Sequence, residues 1–173
     1  MAKRKKSRNI VIIRKFEELK NEMNYEDFEY KEYFKHICNL IPNKEKERLE
    51  IEPIDKDKIK EIGVVYVFVI GEKIFKIGYS INSIIDRVQS YNCGKVEYRI
   101  SGTPSTTNYF VLQSLLAINR KVKVYAYFPP KVEYQIFEEK GKDAFPPAKK
   151  VEKKILKEFI KKHGRKPIGN VQR

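Results

Sequence analysis

The chain has little of what builds metal clusters or disulfide frameworks. Cys38 and Cys93 are its only cysteines and stand far apart, and His36 and His163 are its only histidines, so neither a thiolate zinc site nor a disulfide scaffold can be assembled. His36-Ile37-Cys38 reads as an ordinary helix segment. No apolar run approaches the roughly 18 to 20 residues that cross a bilayer. The basic residues 1–8 are followed by an apolar stretch too short for a signal peptide. A soluble, cytoplasmic chain without membrane contact is expected. Neither a phosphate-binding Gly-x-x-x-x-Gly-Lys-Ser/Thr loop nor a Gly-x-Ser-x-Gly elbow is present, which argues against nucleotide hydrolysis and an α/β-hydrolase. There is no internal repeat.

What the sequence has in excess is positive charge. Over 173 residues, 37 Lys and Arg face 23 Asp and Glu, a net of +14, and a surface that basic attracts polyanions such as nucleic acid. Ten Phe and eleven Tyr supply a core, so the chain is not a disordered tail. The excess is uneven: residues 1–62 are net +2 and residues 63–173 net +12. The first part reads as a helical region, with helices over 10–23 and 25–40, the second opening at Asn24, and a short helix and connector over 44–60. Residues 1–8, five basic and none acidic, suit either an arm touching phosphates or a solubilising tail.

From Gly63 the period changes. Residues 64–70, Val-Val-Tyr-Val-Phe-Val-Ile, have no polar face and predict a strand buried on both sides. Gly71-Glu72 is a turn, and Lys73 to Gly78 returns as the second strand of a hairpin. Ser83 and Asp86 form a capping box that opens a helix ending at Asn92-Cys93-Gly94, with Arg87 and Tyr91 on one of its faces. Residues 105–120 predict a further helix, with Phe110, Leu112, Leu115 and Leu116 inward. Residues 122–128 predict a third strand. Residues 131–147 form a long connection that suits either a DNA-contacting insertion or a packed loop.

Residues 148–163 predict a C-terminal helix with Val151, Ile155, Leu156, Phe159 and Ile160 on one stripe. Glu152 falls within that stripe, and an inward carboxylate is costly unless it is paired with a base or binds a cation. Both readings stand on the residues alone. Lysines crowd the rest of this helix, and their one-sidedness favours phosphate contact.

Tyr66 in Val64-Val65-Tyr66, Lys76-Ile77-Gly78 ten residues on, and Arg87 in the next helix together resemble the GIY-YIG nuclease family. Within it they look closest to small type II restriction endonucleases, where lysine replaces the tyrosine of the second tripeptide. The likeness spans residues 63–170. Val64 stands where the first tripeptide has glycine, with Gly63 one place early. The resemblance implies an α+β (mixed α/β) fold: a small antiparallel sheet of hairpin plus third strand, flanked by helices, here with an N-terminal helical extension. It implies catalytic roles for Tyr66, Lys76, Arg87, Tyr91 and Glu152, with Glu152 holding one Mg²⁺, for which Mn²⁺ could substitute. Tyr79, Lys149, Lys150, Lys153 and Asn170 are expected to contact DNA. The implied reaction is hydrolysis of double-stranded DNA to 5′-phosphate and 3′-hydroxyl ends, by a homodimer using no nucleotide cofactor. A repair or mobile-element nuclease and a non-catalytic nucleic-acid-binding module are the alternatives.

One geometric demand follows. After a strict two-residue turn with regular pairing, Tyr66 would face Ile77 and Lys76 would point to the opposite side of the sheet. A shared site for Tyr66 and Lys76 requires a bulge or a longer loop.

Overall fold

A computed structural model describes residues 11–102 and 105–171; the basic segment 1–8 lies outside them. The fold is mixed α+β. Its frame is a five-stranded antiparallel sheet built from β1 (Lys35–Asn43), β2 (Arg48–Pro53), β3 (Val64–Ile70), β4 (Lys73–Ser80) and β5 (Val122–Tyr127), in the order β2-β1-β5-β3-β4. Helices α1 (Ile84–Asn92), α2 (Val96–Ile100) and α3 (Thr106–Ile118) follow β4. A separate hairpin, β6 (Val132–Ile136) and β7 (Glu139–Asp143), precedes the long α4 (Phe145–His163). Among the described residues no helix is long and apolar enough to cross a membrane.

β3 is buried along its whole length because it has a strand on each side and helices above and below. Val64, Tyr66, Phe68 and Ile70 face α1 and α3, packing with Ile84, Val88, Tyr91, Leu112 and Leu115. Val65, Val67 and Val69 face the other way, onto Ala148, Ile155 and Phe159 of α4. Ile160, expected on that inward stripe, is instead exposed.

The N-terminal region corrects the sequence reading. Instead of helices over 10–23 and 25–40, the described residues form short 3-10 turns (Phe16–Leu19, Tyr25–Asp27 and Lys31–Tyr33) and then strand β1, which contains His36-Ile37-Cys38. The expected helix within 44–60 is β2 and a 3-10 turn at Lys58–Lys60. β1 lies between β2 and β5, and Ile37, Cys38, Asn39 and Leu40 are all buried. A strand covered on both faces loses its alternation, and a short apolar run then matches helical spacing equally well. One sheet therefore runs across the 62/63 boundary, and the described residues form no N-terminal helical extension.

The outer edge of β4 is covered by the two ends of the chain. Ile74 N–H donates to Met23 O at 2.9 Å and Tyr25 N–H to Glu72 O at 2.8 Å, while Gly169 and Asn170 bond the stretch from Phe75 to Ile77. Covering in this way removes an open strand edge. Glu22, wholly buried, forms an ion pair with Arg165 just beyond α4 and so ties the two ends together.

Candidate active site

Tyr66 lies in the middle of β3, opposite Gly78 of β4. Its ring crosses that glycine: a Cβ at position 78 would stand 2.5 Å from the tyrosine oxygen and 2.6 Å from Cζ. Position 78 needs glycine for space. Farther toward the turn the register shifts, so that Val69 pairs with Ile74 but Phe68 with Lys76. Phe75 is the extra residue of a β-bulge. The bulge brings Lys76 onto the same side as Phe68 and Tyr66, which meets the demand that the sequence posed.

The capping box fixes where α1 begins. Asp86 N–H donates to Ser83 Oγ at 3.2 Å, and Ser83 N–H donates back to Asp86 Oδ2 at 3.2 Å. From that start, Arg87 and Tyr91 reach Tyr66 together. The two tyrosine oxygens are 2.5 Å apart, Arg87 Nε donates to Tyr66 at 3.1 Å, and Arg87 Nη2 donates to Tyr91 at 3.1 Å. The guanidinium also lies over the Tyr91 ring, 4.3 Å from its centroid. Burial opposes the Arg87 charge, but the tyrosine oxygens more than offset this and hold it above its ordinary range. Burial, and then Tyr66, push the Tyr91 hydroxyl well above the usual phenol range, with Arg87 countering only in part. Tyr91 therefore keeps its proton and can give its hydrogen bond to the Tyr66 oxygen.

Lys76 is 5% exposed. Its amine donates to the Gly169 carbonyl at 3.0 Å. Burial first, then the Arg87 charge, bring it down to about 7, against an opposing pull from Glu152. Glu152 is half-buried on α4, and desolvation raises it despite the attraction of Lys76, Lys166 and Lys153. Its carboxylate makes no hydrogen bond or ion pair among the described residues. These residues also contain no group of three or more His, Cys, Asp and Glu able to hold a metal. A lone, unpartnered, partly desolvated carboxylate suits a single hard cation.

Tyr66, Arg87, Tyr91 and Lys76 thus converge, and Glu152 of α4 is near enough for its charge to act on Lys76. The other expected residues divide. Tyr79 lines a cavity of about 400 Å³ together with Arg87, Asn82 and Phe145. Lys149 lies over Phe145, and Lys150 and Lys153 are exposed on α4. Asn170 bonds β4 with its amide: Nδ2 donates to Ile77 O at 2.6 Å, and Oδ1 accepts from Ile77 N–H at 3.0 Å. Sequence reasoning missed Gly169, whose carbonyl holds Lys76, and Phe145. A glycine beside Asn170 was the available signal, since a glycine where no turn is required can mark a close backbone approach.

No family model and no curated protein matches the chain. Solved structures do, two of them as follows. The restriction endonuclease HPY188I in complex with product DNA is 56% identical, with a TM-score of 0.77, the match covering 100% of this chain and 98% of that one. A mutant of bacteriophage T4 EndoII is 16% identical with a TM-score of 0.54 over 86% of this chain and 100% of that one, a likeness of fold. The fold is that of a site-specific deoxyribonuclease. At that identity over its whole length, the chain belongs to the restriction endonuclease family of HPY188I and is a type II enzyme.

Proposed function

We propose that the chain is a Mg²⁺-dependent, sequence-specific endonuclease of the GIY-YIG type that hydrolyses double-stranded DNA to 5′-phosphate and 3′-hydroxyl ends. The observation that carries this reading is the buried Tyr66–Tyr91–Arg87 network, with Lys76 turned onto its side by a bulge. The net charge of +12 over residues 63–173 supports DNA as the polyanion, as does the product DNA in the HPY188I complex.

Tyr66 takes the proton of the attacking water. Its phenolate is supported by Arg87 Nε at 3.1 Å and by the Tyr91 hydroxyl at 2.5 Å, two donors already in place. Of the arginine's planar fork, Nε and Nη2 are engaged by the tyrosines, which leaves Nη1 for a phosphate oxygen. Lys76 adds a charge beside the same oxygens when protonated. Glu152 would hold Mg²⁺, which supplies Lewis-acid stabilisation of the leaving 3′ oxygen when bound. One site per chain cuts one strand, so a homodimer with two-fold symmetry accounts for double-strand cleavage.

The test is incubation with mixed DNA and Mg²⁺, followed by sequencing of the ends. Tyr66→Phe and Glu152→Gln should each lower the cleavage rate at least 100-fold while DNA binding persists. Equal rates in these variants and the unaltered chain would refute the mechanism.

A further inference from the structure

The β-bulge that turns Lys76 toward Tyr66 interrupts the β4 ladder and leaves backbone groups on its outer edge in need of partners. The C-terminal segment supplies them. Gly169 N–H donates to Phe75 O at 2.8 Å, and the Asn170 side chain takes both Ile77 groups, at 2.6 and 3.0 Å, as a neighbouring strand would. Asn170 N–H closes a tight turn onto Pro167 O at 2.8 Å. Between these anchors, Gly169 O is the acceptor of the Lys76 amine at 3.0 Å. The approach is close enough to require glycine: a Cβ at position 169 would stand 2.7 Å from Phe75 O and 3.0 Å from Lys76 Cβ.

We infer that Gly169 and Asn170 are positioning residues that act through Lys76, Asn170 locking the bulge and the Gly169 carbonyl setting where the amine sits. The inference rests on the nuclease reading for its catalytic consequence, though not for its geometry. Lys76 is a long side chain with four rotatable bonds. Held only at its backbone it would sample several rotamers, whereas one fixed acceptor and a locked bulge leave a single placement beside Arg87 and Tyr66.

The test uses the full chain carrying Asn170→Ala or Gly169→Ala, the latter keeping the amide while pushing the segment off β4. Single-turnover cleavage should fall at least tenfold, with the Kd for DNA changed less than twofold. In lysines labelled with ¹³C, the Cε resonance of Lys76, assigned by its loss in Lys76→Met, should move at fixed pH toward those of exposed lysines. In the Lys76→Met background, Asn170→Ala should cost less than a further twofold, because both changes act on one path. An unmoved Lys76 resonance, or the same tenfold loss in the Lys76→Met background, would overturn the inference. A moved resonance in a chain that cuts no DNA would instead leave the clamp standing and remove the nuclease reading.

Discussion

Two hairpins in this molecule share a motif and differ in everything around it. In β3–β4, Tyr66 lies across Gly78; in β6–β7, Tyr134 lies across Gly141, where an added Cβ would stand 2.4 Å from the ring's Cζ. The first tyrosine is enclosed by α1 and α3, with its oxygen shared between Tyr91 and Arg87. The second is exposed, as are the other residues of β6. A tyrosine packed on a cross-strand glycine is thus a local fit and not a catalytic sign. What sets the first hairpin apart is that burial removes water from the hydroxyl and a half-buried cation takes its place, since a hydrogen bond to a charged donor gains strength in a drier surrounding.

Substituting the two glycines separates the hairpins most widely. Gly78→Ala forces a methyl group against a ring that cannot leave the core, so it should destabilise by about 3 kcal/mol and displace the Tyr66 oxygen from Arg87. Cleavage should fall more than 100-fold. Gly141→Ala meets a ring that can swing into solvent, and the midpoint of denaturation should move by less than about 0.5 kcal/mol. Paired urea titrations measure both; comparable losses would mean that the β3–β4 hairpin is not distinguished by its packing.

Lysines sharpen the contrast. Lys76 is held at about 7 inside the β3–β4 site, well below its value in the unfolded chain, so folding releases a proton from it and its burial is penalised at neutral pH. The sign is that of a depressed base: the penalty is full below pH 7, shrinks between about 7 and 10.5, and vanishes above. It amounts to about 4 kcal/mol at pH 7, from which the lost bond to Gly169 O subtracts about 1–2. Lys76→Met should therefore stabilise the fold by about 2–3 kcal/mol at pH 7 and, with the penalty gone but the bond to Gly169 O still lost, destabilise it by about 1 kcal/mol near pH 10.5, while slowing cleavage strongly without removing it. In β6–β7, Lys142 forms only an exposed pair with Glu133 at 3.3 Å. Lys142→Met should shift stability by less than about 0.5 kcal/mol at either pH. Thermal melts at the two pH values decide, and a gain independent of pH in Lys76→Met would show that the amine is not a buried charge.

What could be read in advance follows the same division between strong and weak context. The run from Val64 to Ile70, the turn at Gly71, the capping box of Ser83 and Asp86 and the stripe of α4 carry their signals in adjacent residues, and each element forms where those signals place it. The need for a bulge was also legible, because alternation along a strand is a strict rule. β1 was not, since a strand flanked on both sides shows the same apolar spacing as a helix. Nor was β6–β7: Phe137-Glu138 gives no glycine or asparagine to mark a turn. At the site, Tyr66, Arg87 and Lys76 stood out by type and order. The carbonyl of Gly169 did not, because a backbone oxygen 93 positions away in sequence leaves no trace in residue identity.

The unmarked turn yields the smallest of the expected effects. Phe137 has φ of 54° and is 93% exposed, so an aromatic residue occupies the left-handed region with no packing to hold it there. Asparagine tolerates that conformation far better. Phe137→Asn should raise stability by about 0.5–1 kcal/mol and leave the rate of cleavage within twofold. The equivalent position in β3–β4 is already Gly71, whose φ is 61°, with a Cβ there 2.8 Å from the Phe16 ring. Gly71→Asn should accordingly destabilise, by strain and by that contact. Opposite signs for the two asparagines in matched denaturation curves would mean that the β3–β4 hairpin has its turn residue fixed by packing and the outer hairpin does not; a loss at Phe137 as well would place its ring against something the isolated chain does not contain.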